Sequence, residues 1–145
     1  MSMAGAFGFS AGDFVNGIIL IKGLIQALQE SRGSSQEFLE VIKELYSLEK
    51  ALIEVNTLQF SSEESVQQAA LRHAIGQCRS SINIFIAGIS KYQPHLGIGA
   101  SSDYCMGVLR KIQWRLCKRD ELIRFRSEIA FHVESIQLLV LRIGM

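Results

Sequence analysis

The chain has 145 residues and a formal net charge of +1, and 48% of its residues are apolar. This length fits one domain, predicted to span residues 1–145, and it suffices to bury a core without disulfide bonds. The near-neutral charge gives no reason to expect nucleic acid as a partner. The three cysteines are odd in number and include no C-x-x-C pair, which favours a reducing compartment and hence a cytoplasmic location.

The N-terminal part of the chain combines a glycine-rich segment with an apolar stretch. Residues 1–12 are predicted to be a flexible glycine-rich leader, and the first predicted helix follows over about 13–32. This helix is mostly apolar on nearly all sides, which is typical of a helix at the centre of a bundle or in a membrane. Its apolar stretch is shorter than the about 20 residues of a standard spanning helix. Asn16, Lys22 and Gln26 also interrupt it.

Two amphipathic helices are predicted next, over about 36–58 and 62–92. An S-x-x-E pattern marks each start, where the serine and glutamate side chains can satisfy free backbone N–H groups. Apolar residues then recur at alternating spacings of three and four, as in a helix that packs along one seam. The seam residues are Phe38, Val41, Leu45, Leu48, Leu52 and Val55 in the second helix, and Leu71, Ile75, Cys78, Ile82, Phe85 and Ile89 in the third.

The last part of the chain is also predicted to be helical. A shorter fourth helix is expected over about 103–117, and a fifth over about 120–143. One face of the fourth carries Cys105, Leu109, Ile112 and Leu116, and the buried face of the fifth carries Leu122, Phe125, Ile129, Val133, Ile136, Val140 and Ile143. No long window alternates apolar and polar residues as a strand would. We therefore predict an all-α, up-and-down bundle of about five helices with a mostly apolar first helix.

Residue patterns for catalysis or metal binding are absent from the sequence. The three histidines lie in three different segments without a metal-ligand spacing, and no nucleophile elbow or phosphate loop occurs. His132 is interpreted as a core or boundary residue and Cys78 as a small buried hydrophobe. We therefore expect no enzyme, no catalytic residue, no cofactor, no metal and no small-molecule substrate.

The charges are distributed unevenly along the chain. Between Glu30 and Glu64 there are eight acidic and three basic residues, which makes the second predicted helix acidic. A basic corner lies between the fourth and fifth predicted helices and consists of Arg110, Lys111, Arg115, Lys118, Arg119, Arg124 and Arg126. Two interpretations are open: attraction between the two faces inside the bundle, or docking of an anionic lipid surface. Trp114, which lies among these bases, either packs along a helix edge or sits at a lipid headgroup layer.

The N-terminal segment carries small residues at a regular spacing. Ala4, Gly8 and Gly12 recur every four residues, as in helices that approach closely in a membrane. The alternative is a leader whose phenylalanines pack against the bundle. If the segment inserts into a membrane, the inserting residues are predicted to be Phe7, Phe9, Phe14, Ile18, Ile21 and Ile25.

Four stretches of the chain resemble the HeLo-like N-terminal domains of fungal STAND (NLR-like) proteins. The first is the opening G-F-S-A-G-D-F-V-N-G-I at 8–18, and the others lie at 44–52, 91–96 and 110–118. The resemblance covers almost the whole chain in order, and none of these motifs is a catalytic signature. In the family, such a domain is followed by a nucleotide-binding domain or by another regulatory module. The present sequence ends at Met145 without a nucleotide-binding domain. We therefore expect an excised domain or a short protein that keeps only the effector part.

The resemblance implies a helical signalling domain linked to programmed cell death and self/non-self recognition. We expect it to act without catalysis, by self-association or by binding a protein partner. The alternative is a direct membrane effector, recruited to the plasma membrane, whose N-terminal helix inserts into lipid as in some members of the family. Lys22 within that helix weakens this alternative, although a lysine side chain can reach the interface.

Overall fold

The computed structural model describes residues 11–30, 36–58, 65–90, 109 and 113–143. Among these residues, four α-helices have described bounds: α1 (Ala11–Glu30), α2 (Gln36–Asn56), α3 (Ser65–Ser90) and α4 (Arg119–Ile143). A short 3-10 helix, Trp114–Leu116, precedes α4. Nearly all of these described residues are helical, and no strand occurs among them. The all-α class is therefore confirmed.

The heptad-like spacing identified the buried faces of three helices. All six seam residues predicted for the second helix are buried in α2. In α3 the predicted seam is buried except Phe85, which is half-buried while its neighbour Ile86 is fully buried. In α4 the predicted face is buried as far as Ile136, and Val140 and Ile143 pack against the core in partly buried positions. A sequence period of 3.6 fixes these faces because each helix buries a single broad stripe.

The predicted fourth helix lies mostly outside the described residues. Its described end differs from the prediction, since residues 114–116 form a 3-10 helix and the chain bends at Cys117. Leu109 is buried as expected, whereas Leu116 is 51% exposed. A 3-10 helix has three residues per turn, so a face extrapolated with the α-helical period does not hold there.

Helix α4 lies between α2 and α3 and packs against both, and α1 packs against α2. Two contacts show that α3 and α4 are antiparallel: Ser81 meets His132, and Phe85 meets Phe125. The ion pairs Arg119–Glu37 and Arg126–Glu40 show that α2 and α4 run in the same direction. This places α4 at the centre of the described core.

The first helix is not buried all round. Leu20, Ile21, Leu24, Ala27 and Leu28 face the core. The opposite side is exposed and carries Asn16, Ile19, Lys22, Gln26, Gln29 and Glu30. Helix α1 is therefore a peripheral helix with one solvent face, and the central position that its apolar composition suggested belongs to α4.

Truncation of Ile129 tests the central role of α4. This side chain is fully buried, so Ile129→Ala leaves a cavity and is expected to lower the free energy of unfolding by about 2–5 kcal/mol. The matched control is Leu39→Ala, at a half-exposed site on α2, for which a change within about 0.5 kcal/mol is expected. Urea unfolding followed by circular dichroism measures both. Equal losses in the two variants would contradict the assignment of α4 to the core.

Candidate functional site

An open groove of about 610 Å³ lies between α3 and α4. Its volume falls within the range of about 300–1,000 Å³ that is usual for binding clefts. We call it the α3–α4 groove, and its described lining consists of Ile84, Phe85, Ala87, Gly88, Lys118, Glu121, Arg124, Phe125 and Glu128.

The floor of the groove is aromatic. The rings of Phe85 and Phe125 stack in parallel, with 4.0 Å between centroids and an angle of 6°. Trp114 also stacks with Phe85, with 6.1 Å between the ring centroids and an angle of 22°. Phe125 and Trp114 are buried, whereas Phe85 is half-buried and leaves apolar surface open. Such stacks add about 0.5–1.5 kcal/mol to simple burial, so the floor is rigidly held.

Charged side chains of both signs form the rim. Lys118 and Arg124 are exposed bases, and Glu121 and Glu128 are half-exposed acids. All four come from the first half of α4 or the residue before it, on the side that faces α3. An apolar floor with a mixed rim suits an apolar anchor whose flanking groups carry charges of both signs.

A buried polar contact links α3 to α4 one turn beyond the groove. His132 Nε2 and Ser81 Oγ share a hydrogen bond of 2.8 Å. Burial lowers the pKa of His132 below its usual value of 6.5, and the nearby Glu128 carboxylate partly offsets this effect. The prediction that His132 is a core or boundary residue is confirmed, since it is only 8% exposed.

The predicted basic corner is divided by the fold. Arg119 pairs with Glu37 of α2, and Arg126 Nε lies 3.5 Å from Glu40 Oε2 of the same helix. Arg119 and Arg126 thus attract the acidic helix α2 inside the bundle. This agrees with the first of the two interpretations of the basic corner, attraction between the two charged faces. These pairs are partly exposed, so each is worth about 1 kcal/mol or less.

The remaining predicted bases fall into two groups. Lys118 and Arg124 lie on the α3–α4 groove. Arg110 and Lys111 lie outside the described residues, as does the side chain of Arg115. Trp114 is 2% exposed, which confirms the packing interpretation for this side chain. Its indole Nε1 has no hydrogen-bond partner among the described residues.

The residues predicted to insert into a membrane are described only in part. Phe7 and Phe9 lie outside the described residues, as does the side chain of Phe14. Ile18 is partly buried, and Ile21 and Ile25 are 1% and 4% exposed in the core. Within the described ranges, none of the helices combines the length and the apolar character that a bilayer crossing requires.

The two described cysteines, Cys78 and Cys117, are both buried. Burial raises the pKa of the Cys78 thiol to about 12, and the interpretation of this residue as a buried hydrophobe is confirmed. Cys117 is also buried, on the chain segment that leads into α4. Among the residues that the structure describes, no three histidine, cysteine, aspartate or glutamate side chains come together as a metal site.

Sequence reasoning did not find the α3–α4 groove. It placed Phe85 and Phe125 on two buried faces, but it gave no means of pairing them. Two features could have indicated the groove: the small pair Ala87-Gly88 beside Phe85 and the mixed charges that flank Phe125. Small residues on one helix opposite long charged residues on its neighbour leave room for a cleft.

Comparison with known protein families, with curated proteins and with solved structures found nothing that matches this chain.

The buried His132 predicts a pH dependence of stability. Because its pKa is lower in the folded state than in the unfolded state, its neutral form is favoured by folding. The stability that the neutral His132 contributes is fully present above the unfolded-state pKa of about 6.5. It is lost as the pH falls below that value. We expect the chain to be less stable at about pH 5.5 than at about pH 7.5, and His132→Gln to reduce this difference. Thermal unfolding of both proteins at the two pH values measures the effect. An equal pH dependence in both would contradict the prediction.

Proposed function

We propose that this chain is a non-enzymatic interaction domain that binds a protein partner in the α3–α4 groove. The observation that carries the proposal is the accessible Phe85 surface on a rigid aromatic floor, surrounded by charges of both signs. Aromatic anchors in such surfaces supply most of the affinity of a protein interface. The rim charges then select partners through their complementarity.

The geometry of the groove favours a helical partner segment. Two antiparallel helices form its walls, and it is open to solvent on one side. An amphipathic helix could lay apolar residues on Phe85 and the neighbouring Ile84, which is 67% exposed. Acidic and basic residues on that helix would pair with Arg124 and Glu128 at the rim. Binding of this type needs no catalytic group.

The resemblance to fungal HeLo-like domains supplies the biological role that we propose. A groove of this kind would make the domain a cytoplasmic signalling module that transmits the state of a sensor through association. Recruitment to the plasma membrane would then follow from the partner. The resemblance supports the signalling role, and the groove supports its mechanism.

Two observations favour protein binding over direct membrane insertion. Insertion of α1 would remove Ile21 and Ile25 from the core, at about 1.5–3 kcal/mol for each side chain until the membrane replaces the lost contacts. Arg119 and Arg126, which would have to attract anionic lipid, already pair with acids of α2. The groove requires neither change.

Two glycines of α3 provide a matched test of the groove. A Cβ atom added at Gly88 or at Gly76 meets no atom within 4 Å, so leucine can be introduced at either site without a clash at its Cβ. Gly88 lines the groove, and Gly76 does not belong to its described lining. Both changes also replace a glycine inside a helix, and this replacement stabilises the helix by up to about 1 kcal/mol.

Gly88→Leu is expected to fill the groove and weaken partner binding at least about ten-fold, whereas Gly76→Leu leaves it unchanged. The measurement is quantitative affinity capture with the tagged wild type and both variants from cells of the source organism. A partner retained equally by all three proteins would contradict the groove as the binding surface. Circular dichroism of both variants verifies that they fold alike.

A further inference from the structure

Helix α4 has a second apolar face that neither α2 nor α3 covers. Four large apolar side chains on this face are 42–65% exposed: Ile123, Phe131, Leu138 and Leu141. With Ser127 and Glu134 they recur at spacings of 4, 4, 3, 4 and 3, which places all six on one side of the helix. We call these six residues the outer stripe of α4. It extends over about 27 Å at 1.5 Å per residue.

The outer stripe has the pattern of a helix-pairing seam. A solvated helix face seldom carries four large apolar residues at alternating helical spacings, whereas a helix that packs on another helix does. The inner face of α4 already provides the core of the bundle, so packing inside the described structure does not account for the stripe. Contiguous exposed apolar surface of this kind marks an interaction site.

The charges beside the stripe indicate what covers it. Along α4 they alternate in sign in the order Asp120, Arg124, Glu134 and Arg142, and all four side chains are exposed. A second copy aligned in parallel would place each charge opposite itself. A second copy aligned antiparallel would place opposite charges together at both ends. In an antiparallel pair, the acidic residues of one copy therefore face the basic residues of the other.

One antiparallel register satisfies the apolar residues and the charges together. With the two-fold axis at Phe131, Ile123 of each copy lies within one residue of the position opposite Leu138 of the other, and the two Phe131 rings meet at the axis. Asp120 then lies opposite Arg142, and Arg124 of one copy lies about one helical turn from Glu134 of the other. Each of these contacts occurs twice because a two-fold interface is self-complementary.

We propose that the chain forms an antiparallel homodimer in which the outer stripes of two α4 helices pack against each other. A single pair of helices buries less than the about 1,600 Å² of a standard interface, so the dimer is weak and depends on concentration. The inference deepens the proposed function by naming a second copy as one partner. It uses a different side of α4 from the groove, and the two surfaces share only Arg124.

Sedimentation equilibrium of the purified chain over about a hundred-fold range of concentration tests the dimer. Wild type is expected to pass from monomer to dimer, and Phe131→Glu is expected to remain a monomer because it places two charges at the axis. Val66→Glu is the matched control, since Val66 is 76% exposed on α3 and away from the stripe. It should dimerise as wild type does. A wild type that remains monomeric at every concentration overturns the proposal.

Charge exchange between the ends of α4 tests the register. Asp120→Arg and Arg142→Asp each create two like-charge contacts and should weaken the dimer by about ten-fold at low salt. The double variant Asp120→Arg/Arg142→Asp should restore it. The two positions are about 33 Å apart along one helix, so only contact between two copies can produce this rescue. Weakening without rescue, or no weakening, overturns the antiparallel register.

The groove variant Gly88→Leu separates this inference from the proposed function. It is expected to dimerise as wild type does, because Gly88 lies on α3 in the groove. A Gly88→Leu protein that loses its dimer would show that copies meet through the groove and would overturn the stripe as the interface. A dimer that persists in Gly88→Leu while partner capture is lost agrees with both proposals.

Discussion

Burial of one face of α4 between α2 and α3 is the interaction on which the rest of this structure depends. Phe125, Ile129 and Ile136 on that face are almost fully buried, and they contact a core to which every described α-helix contributes. Removal of this apolar surface from water is the dominant favourable term in folding. Helix α1 joins the core through α2, so its position also depends on this central packing.

The ion pairs and the polar contact between helices specify how the helices are oriented relative to one another within this apolar packing. A purely apolar core can be repacked at constant volume, and it then loses a unique arrangement before it loses stability. The pairs Arg119–Glu37 and Arg126–Glu40 join the start of α4 to the start of α2. The Ser81–His132 hydrogen bond and the Phe85–Phe125 stack fix α3 in the opposite direction. These contacts contribute little stability individually but define one arrangement of the three helices.

Three sides of α4 have different roles as a consequence. One side forms the core with α2 and α3, a second forms the wall of the α3–α4 groove, and the third carries the outer stripe. A change in any of the three rim charges on α4, Glu121, Arg124 and Glu128, thus alters a helix that also supports the core. For this reason, substitutions on α3 such as Gly88→Leu are cleaner probes of the groove than substitutions on α4. The proposed partner and the proposed second copy would meet α4 on different sides that share only Arg124.

The sequence by itself determined the helical class, the limits of α2, α3 and α4 to within a few residues, and most of their buried faces. These features are local: a period of 3.6 residues and a few terminal residues specify them. It also indicated that His132 and Cys78 would be packed. Only the tertiary structure decided that α4 rather than α1 is central, that Arg119 and Arg126 pair with α2, and that Phe85 meets Phe125. Those outcomes depend on how helices distant in sequence are rotated and aligned, which no local pattern of residues encodes.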